Sequence, residues 1–581
     1  MKLIPSFGEI TQRSKEALQR FPITLAWAVI GTLYTLITIE SKTFDNTFSG
    51  KVILTFILGI SWLIATRFFE EQFKKDKEWI FLLTLTFLFI FFSTLTTTKD
   101  MNNVNITRFI LFFLAGHLLV FVSPFIFKYD KNAYFNYLKT IFTAIVRSLF
   151  FSLILYLGII LALLAIRHLF NVYFDGKRYF QVFVVCMGIV NTWIYLSDFP
   201  KEIHNQTTIH YTKALEVLVK YILIPLVILY LIILYAYSLK IVINWSLPKG
   251  WVSYLVTALA FLGFVIQLLV NPVEKTINSR AIRRFHPWFY ILLLPLLVLL
   301  FVAIFRRISE YGITENRYFV AVLACYVLAM TLYMLISKHK QTRFFMLILA
   351  GLMMLVSFGF WGAFSVATKS QVKEFTKVYN DIKSTNFTTT HKKKNRLRSI
   401  IQYLNDKNDI DKLEPIIGYN PKHTFKEVTW WSLTSKLMDS LNINVENESR
   451  LAEEIRYYNL DEINAIIHIK NYDYLKRMHF NHFNDKRNSI NDYTFSLKKN
   501  SKLILVSKNE NEVGFIDCTQ LVDSLKKQER TNAVNEEVMT VTTAFKNVDI
   551  KIIFKDVSLE KENNKEHIYS GSAYVLIKEH D

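Results

Sequence analysis

The feature that most constrains this chain is a series of apolar stretches, each about 20 residues long, in its first 366 residues. A helix needs about 20 such residues to cross the hydrocarbon core of a bilayer. Because lipid offers the backbone no hydrogen-bond partners, continuous apolar runs of this length favour helices. We therefore expect an all-α polytopic transmembrane bundle of about 11 helices. The predicted spans are 21–39, 52–69, 79–97, 106–127, 141–166, 179–196, 217–243, 251–270, 288–305, 318–336 and 344–366.

The chain is expected to have three parts. Residues 1–20 mix charged and apolar positions and are predicted to form an amphipathic juxtamembrane leader. Residues 21–366 form the predicted transmembrane domain, and residues 367–581 a soluble domain. In the soluble domain helical patterns precede strand-like patterns, which is typical of an α+β fold. Its helices are predicted at 369–383, 393–405, 410–417, 432–441 and 460–466, and its strands at 493–498, 502–508, 512–518, 548–555 and 568–577.

Charged residues are distributed unequally between these parts. The whole chain carries a net charge of +20, with 68 Lys and Arg against 48 Asp and Glu. Residues 366–581 hold 34 Lys and Arg against 31 Asp and Glu, which leaves 34 against 17 for residues 1–365. Basic membrane loops favour contact with anionic lipid at the cytoplasmic face, so the expected partner is the lipid bilayer. A soluble domain without a strong basic excess argues against binding to nucleic acid.

The placement of Lys and Arg among the loops predicts the orientation of the bundle. With a cytoplasmic N-terminus, the leader and the loops after even-numbered spans hold about 22 Lys and Arg, and the opposite loops about 12. Eleven spans then place the soluble domain outside the cytoplasm. The lysines that follow the last span, among them Lys369, Lys373 and Lys377, oppose this orientation. They count for less because long domains translocate largely regardless of charge.

Motifs for common chemistry are missing from the sequence. It contains no GxxxxGKS/T or GxGxxG phosphate-binding loop, no GxSxG elbow and no HExxH zinc motif. Cys186, Cys325 and Cys518 are too far apart for a CxxC or zinc-type motif. His479 and His482 are spaced i, i+3, but a solvated surface is the favoured interpretation because no third ligand is evident. We therefore predict no metal site and no cofactor.

Three polar side chains lie deep inside predicted spans, where polar groups are costly and often functional. His117 is a candidate for a proton relay or a ligand group, because imidazole titrates near neutral pH. The favoured interpretation of His117 is nevertheless a satisfied hydrogen bond between helices, and the same interpretation is favoured for Asn191 and Gln267.

The densest charge cluster lies in the short stretch between the ninth and tenth spans. It consists of Arg306, Arg307, Glu310, Glu315 and Arg317. One interpretation is a substrate-binding site, because guanidinium groups can grip a phosphate or a carboxylate. The other is a tight turn, with Gly312 at its bend, in which ion pairs pin two helices together.

The stretch PWFYILLLPLLVLLFVAIFRRISEYGITENRYFVAVL resembles the signature region of bacterial membrane proteins of the domain of unknown function 4153 family. SFGFWGAFSVATKSQ, which ends in Ser370–Gln371, is similar to that family's ending, and RFPITLAWAVIGTL to its first span. The resemblance covers residues 15–375. The NYDYL stretch at 471–475 resembles part of an extracytoplasmic extension found in some members. The resemblance implies an inner-membrane location and no activity, so whether the chain is an enzyme stays open.

Three functions are compatible with these observations. The favoured hypothesis is an integral inner-membrane protein of the bacterial envelope whose C-terminal domain binds a partner or ligand, or senses a signal. The alternatives are a transporter of a small solute through the bundle, and a membrane enzyme acting on lipid-linked or envelope substrates. A cavity at His117 would favour transport, and a pocket at Arg306–Arg317 would favour substrate chemistry. A solid bundle with neither would favour binding or sensing.

Overall fold

A computed structural model of the protein describes residues 7–44, 47–73, 77–95, 103–209, 211–244, 251–274, 279–426, 428–445, 456–460, 469–481, 488–498, 501–509, 511–526, 533–562 and 565–580. The chain forms two compact units, Met1–Asn444 and Val445–Asp581. In the described residues the first unit is almost entirely helical, and the second is built mainly from strands.

The first unit begins with the apolar helices and the short helix before them. They are α1 (Phe7–Arg20), α2 (Pro22–Glu40), α3 (Thr47–Glu70), α4 (Glu78–Thr94), α5 (Asn103–Val122), α6 (Lys131–Phe170), α7 (Gly176–Ser197), α8 (Lys213–Asn244), α9 (Trp251–Val270), α10 (Arg280–Tyr311), α11 (Glu315–Ile336) and α12 (Arg343–Leu355). Within the described residues, nine of these helices, α2, α3 and α5 to α11, are long and apolar enough to cross a membrane.

The other two predicted spans correspond to shorter apolar helices, α4 with 17 residues and α12 with 13. At 1.5 Å per residue they are about 25 and 20 Å long, against about 30 Å for the hydrocarbon core. The predicted fold class, a polytopic bundle of about 11 helices followed by an α+β region, is confirmed. With these two short helices the described bundle has eleven apolar helices, of which nine are long enough to cross the hydrocarbon core by length and composition.

Contacts along α3 show that α4 runs antiparallel to it. The hydroxyl groups of Thr66 and Thr84 are 2.7 Å apart near one end of the pair. The rings of Phe48 and Phe92 lie 5.9 Å apart near the other end. The short helix α4 therefore returns along most of α3.

The short helix α12 runs antiparallel to α5 in the same way. Arg343, at the start of α12, donates to the Ile126 carbonyl at 2.9 Å, just beyond the end of α5. After α12 has ended, the Phe358 ring contacts that of Phe112 at 5.2 Å. The predicted continuous span 344–366 was wrong, because α12 ends at Leu355 and a glycine-containing turn separates it from the next helix.

Two of the long helices contain a π-helical turn, at Cys186–Asn191 in α7 and at Leu218–Leu223 in α8. The second turn lies directly before Pro225, where the chain lacks an amide donor and the ring crowds the preceding carbonyls. A π-turn relieves this crowding by widening the helix, and such turns are frequent at functional sites. The longest helix, α6, has 40 residues and extends well beyond the predicted span 141–166 on its N-terminal side.

The rest of the first unit is a layer of helices outside the apolar bundle. Its helices are α13 (Ala363–Ser384), α14 (His391–Asp406), α15 (Glu414–Ile417), α16 (Pro421–Thr424) and α17 (Trp430–Ser440), with a 3₁₀ turn at Ile410–Leu413 and the short strand β1 (Thr388–Thr389), which pairs with β2 (Asn444–Val445). Phe375, Ile382, Leu397, Leu404 and Leu437 are completely buried in its core. Leu397 and Leu404 lie on one face of α14, the helix predicted at 393–405, and α14 packs by this face.

The second unit contains two antiparallel sheets. Its strands are β3 (Arg456–Leu460), β4 (Tyr474–Asn481), β5 (Ser489–Ile490), β6 (Tyr493–Leu497), β7 (Leu503–Lys508), β8 (Asn511–Asp517), β9 (Ala533–Val534), β10 (Thr540–Phe545), β11 (Val548–Glu562) and β12 (Lys565–Glu579), and its helix is α18 (Thr519–Lys526). One sheet has the order β4-β12-β11-β3-β9, with β10 also paired to β11 and a short parallel pair between β3 and β9. The other has the order β5-β6-β7-β8.

The five predicted strands are all present in this unit, two of them much longer than expected. β11 and β12 have 15 residues each and pair from Val548↔Glu579 to Glu562↔Lys565. Of the predicted helix 460–466, Leu460 ends strand β3 and the rest lies outside the described residues, as do His482 and the neighbouring Asp485. Among the described residues, no group of three His, Cys, Asp or Glu side chains could hold a metal ion.

Cys518 provides a test of this unit's core. Burial, followed by the negative charge of Asp517, raises the pKa of the Cys518 thiol to about 12. Below that pH the reactive thiolate is scarce. In a Cys186→Ala, Cys325→Ala chain, we expect maleimide to label Cys518 at least about a hundredfold more slowly at pH 8 than in denaturant. Equal labelling rates in the two conditions would contradict the buried position.

Candidate functional site

The turn between α10 and α11 carries the densest charge cluster and forms the candidate site. Helix α10 ends at Tyr311, and Gly312 follows with φ 71° and ψ −178°, a conformation essentially restricted to glycine. The Gly312 amide donates to the Ile308 carbonyl at 2.9 Å. Arg317 donates to the carbonyls of Tyr311 at 3.2 Å and Gly312 at 2.6 Å. This guanidinium therefore satisfies carbonyls that the end of α10 leaves without partners.

Helix α13 binds the backbone of the same turn with two adjacent side chains. The Ser370 hydroxyl accepts a hydrogen bond from the Ile313 amide at 2.8 Å. The Gln371 amide donates to the carbonyls of Tyr311 at 3.1 Å and Ile313 at 3.0 Å. The Ser-Gln pair thus holds the turn by backbone groups, so these contacts do not depend on the side chains of the turn.

Two charged contacts come from Arg396 on α14 and from Lys407 directly after it. Arg396 binds both the Glu374 carboxylate of α13 and the Glu310 carbonyl at the end of α10. Lys407 pairs with Glu315 at 3.2 Å, and only 16% and 11% of these two side chains are exposed. We call Ser370, Gln371, Glu374, Arg396 and Lys407 the turn clamp.

The charged groups of the clamp are partly shielded from solvent. Burial raises the pKa of the Tyr403 hydroxyl on α14, and the nearby Glu315 carboxylate raises it further. The tyrosine therefore stays neutral beside the Lys407–Glu315 pair. Ion pairs in such surroundings are sensitive to the loss of one partner, because the remaining charge keeps its burial cost.

The predicted substrate-binding residues have different environments. Glu310, Glu315 and Arg317 contribute to the contacts that join the turn to its neighbours. Arg306 forms an exposed pair with the Glu310 carboxylate at 2.9 Å. Arg307 makes no hydrogen bond or ion pair within the described part of the chain. These contacts are of the kind expected for an ion-paired turn, and the substrate-binding interpretation of the five residues stays a prediction.

The three polar residues inside the spans lie on three different helices. His117 on α5 shares a hydrogen bond with the Phe113 carbonyl of its own helix, at 2.8 Å. The Oδ1 atom of Asn191, at the end of the π-turn of α7, is buried and has no partner among the described residues. Gln267 on α9 is completely buried, and neither of its amide atoms has a described partner. No described hydrogen bond joins any two of the three residues.

The cavities found in the described part of the first unit are lined by neither His117 nor Gln267, whereas one is lined by Val190, which precedes Asn191 on α7. Five cavities in the described residues have volumes of about 430 to 740 Å³. None of the five is lined by His117, by Gln267 or by the charged residues of the turn. One follows the exposed face of α13 and is lined by Lys369, Lys373 and Lys377, which the sequence places one turn apart.

Sequence reasoning found the turn and missed its partners. Arg396 and Lys407 are about 80 to 90 residues away from the turn in sequence, and nothing in their local pattern distinguishes them from other surface cations. The signal that the sequence offered for these partners was Ser370–Gln371, a polar pair in the helix that follows the aromatic turn after α12. Its contact with Ile313 and Tyr311 appears only in the folded chain.

The fold and the turn define a multi-pass membrane protein with a layer of helices held against one end of its apolar bundle. Residues 27–383 match the family model described as "Domain of unknown function (DUF4153)". The match covers more than half of the chain, and the protein belongs to this family, as the sequence resemblance indicated.

A curated relative is an uncharacterised protein of Pasteurella multocida (strain Pm70). The two sequences are 24% identical over 385 residues, which cover 66% of this chain and 62% of the relative. The chain thus spans less than two thirds of the length of the curated relative that it matches. No solved structure matches the chain.

Gly312 gives a direct test of the turn. A Cβ at this position would approach the side chains of Gln371 at 3.1 Å and Ser370 at 3.2 Å, in a conformation that other residues avoid. We expect Gly312→Ala to destabilise the protein by about 1–3 kcal/mol. The measurement is the thermal unfolding midpoint in detergent. Gly351→Ala is the matched control, because a Cβ on Gly351 in α12 meets no atom within 4 Å, and equal midpoints for the two variants would contradict the prediction.

Proposed function

We propose that the protein is an inner-membrane protein of the bacterial envelope that binds a partner or ligand through its C-terminal region and passes the binding state to the bundle through the turn clamp. The observation that carries this proposal is that charged residues of the turn between α10 and α11 bind other groups of the same chain. Glu315 and Arg317 bind groups of the chain itself, and Glu310 offers its carboxylate to Arg306 and its carbonyl to Arg396. These groups are therefore occupied by structural contacts.

The clamp is suited to mechanical coupling because it joins extramembrane helices to two long apolar helices at one point. Gln371 holds the carbonyls on both sides of Gly312, so a displacement of α13 acts on the ends of α10 and α11 together. A turn with a glycine-only conformation has few alternative positions. Allosteric coupling requires a two-state element whose equilibrium both sites bias. In this proposal α13 moves between two positions, and the rigid turn passes the movement to α10 and α11.

Transport and substrate chemistry have less support. Transport through the bundle calls for polar groups that converge on a cavity, and the five cavities described above are lined by neither His117 nor Gln267. A catalytic site at Arg306–Arg317 calls for an accessible pocket, and the residues of this turn line none of the five. Both alternatives remain outcomes of the experiments below.

The proposed orientation places the N-terminus in the cytoplasm and the C-terminal region in the periplasm. The Lys and Arg excess in the leader and in the loops of the same side supports this orientation. This count takes the short helices α4 and α12 as crossing helices, and eleven crossings, an odd number, place the two ends of the chain on opposite sides of the membrane. Anionic lipid at the basic cytoplasmic loops is the expected partner.

Reporter fusions test the orientation. We expect a reporter that is active only outside the cytoplasm to be active at Asp581 and inactive after Lys340, in the loop between α11 and α12. A cytoplasm-specific reporter should give the opposite result at both positions. If the reporter is active after Lys340 and inactive at Asp581, the proposed orientation is wrong. If both positions lie on the same side of the membrane, α12 does not cross it.

Complementation of a deletion strain tests the coupling. We expect Gln371→Ala combined with Lys407→Met to abolish complementation, because it removes two backbone contacts and leaves Glu315 nearly buried without its cation, at a cost of about 1–3 kcal/mol. The protein should still be inserted at the normal level, as measured in isolated membranes. His117→Leu and Gln267→Leu should complement fully.

The matched control combines Gln402→Ala with Lys393→Met on the same helix layer. Gln402 is exposed, and Lys393 forms an exposed ion pair with Asp381, so neither change should affect complementation. If the His117 and Gln267 variants lose complementation while the clamp variant retains it, the bundle acts as a conduit and the proposal fails.

A further inference from the structure

A cleft on the membrane face that carries α1 is independent of the turn clamp. It has a volume of about 550 Å³ and lies between α1, α6 and the C-terminal half of α7. Asp198, directly after α7, stands at its polar end together with Arg13 of α1 and Arg147 of α6. Phe151 and Val190 line its apolar part. The cleft therefore has a charged end and an apolar end.

The sequence pattern favours a position of the charged end at the membrane boundary and of the apolar end inside the bilayer. Arg147 precedes the apolar second half of α6, and Phe151 lies one turn further into it. Val190 lies eight residues before Asp198 on α7, which corresponds to about 12 Å along a helix. It belongs to the π-turn of α7, whose extra residue changes the directions of neighbouring side chains. The arrangement follows the polarity of a phospholipid molecule.

The charges at the boundary are incompletely matched. Arg147 and Arg13 both contact Oδ1 of Asp198, at 3.0 and 3.4 Å. The Oδ2 atom of the same carboxylate is buried and has no partner in the described chain, and only 10% of the side chain is exposed. Burial raises the pKa of the Asp198 carboxyl above its ordinary value despite the two guanidinium groups. One more hydrogen-bond donor, preferably cationic, would complete the site.

We propose that this cleft binds a phospholipid with an ammonium headgroup, of the phosphatidylethanolamine type. Arg13 and Arg147 hold the phosphate, and the ammonium group donates to Oδ2 of Asp198. The first part of an acyl chain lies against Phe151 and Val190. Guanidinium groups match phosphate oxygens in geometry and charge, and an ammonium is a strong donor to a carboxylate.

Other occupants fit less well. A phosphatidylcholine headgroup has no N–H, so it would leave the buried Oδ2 atom without a donor. A phosphatidylglycerol headgroup offers only neutral hydroxyl groups to this atom, which form weaker bonds to a carboxylate than an ammonium does. A soluble phosphate compound would leave the apolar part of the cleft unfilled. The headgroup preference is therefore a specific property of the proposed site.

Native mass spectrometry of the full-length protein in detergent tests the proposal. The protein is equilibrated with equimolar phosphatidylethanolamine, phosphatidylcholine and phosphatidylglycerol that carry identical acyl chains. We expect the first bound lipid to be phosphatidylethanolamine, with about a tenfold preference over each competitor. Asp198→Asn should reduce this preference to about one, because it removes the charge and keeps the shape. Glu16→Gln is the matched control, since Glu16 lies on α1, pairs with Lys201 and should leave the preference unchanged.

Each other result overturns the proposal in a defined way. Equal retention of the three lipids, or a preference for phosphatidylglycerol, excludes the ammonium assignment, and so does a preference that persists in Asp198→Asn. Should Asp198→Asn fail to fold, Val190→Trp replaces it. This variant fills the apolar part without changing a charge, and it should lose the first bound lipid whatever its headgroup. Equally tight binding of glycerophosphoethanolamine, which has no acyl chains, would show a soluble-ligand site instead.

Discussion

Hydrogen bonding to the backbone of the α10–α11 turn is the interaction on which the described organisation of the first unit depends. A helix end leaves several carbonyl groups without partners, and at a membrane surface these groups must be satisfied by the protein or by water. Here Gln371 and Arg317 satisfy them, and Ser370 accepts from the Ile313 amide. The same contacts fix α13, α13 in turn packs against α14, and α14 packs against α17 in one hydrophobic cluster. A small number of polar contacts therefore joins the bundle to a separate hydrophobic core.

The architecture could be predicted from the sequence because both of its signals are long and regular. Apolar runs of about 20 residues identify helices such as α9 almost to the residue, 251–270 against Trp251–Val270. Alternation in 502–508 likewise identifies β7. The span 344–366 failed because Phe358, Phe360 and Trp361 contribute as much hydropathy in a turn as they would in a helix. Gly359, with φ 79°, shows why the helix does not continue.

The candidate site could be predicted only in part, because its components are separated in sequence. The charges of the turn and Gly312 are local features, and both were identified. Their partners on α14 depend on how a second helix layer packs, which no local pattern encodes. The cleft at Asp198 was missed for the same reason, since Arg13, Arg147 and Asp198 come from three distant segments. Nothing in the sequence around Arg147 points to its ion pair with Asp198, 51 residues away.

The clamp and the cleft lie at opposite ends of the apolar bundle. Phe125 is buried in one cluster with Ala17 and Phe21, so the end of α5 lies at the α1 face. Helix α12 starts at that face, where Arg343 binds Ile126, and the chain then runs along α5 until Arg108 lies 5.1 Å from the ring of Phe364 in α13. Since α12 has only 13 residues, the aromatic turn after it completes this distance. Each end of the bundle is thus held by groups suited to its surroundings: hydrogen bonds to the backbone at the clamp, and an incompletely matched carboxylate at the cleft. The unmatched carboxylate is tolerable only where a donor can reach it from outside the chain, and a lipid headgroup at the membrane boundary is such a donor.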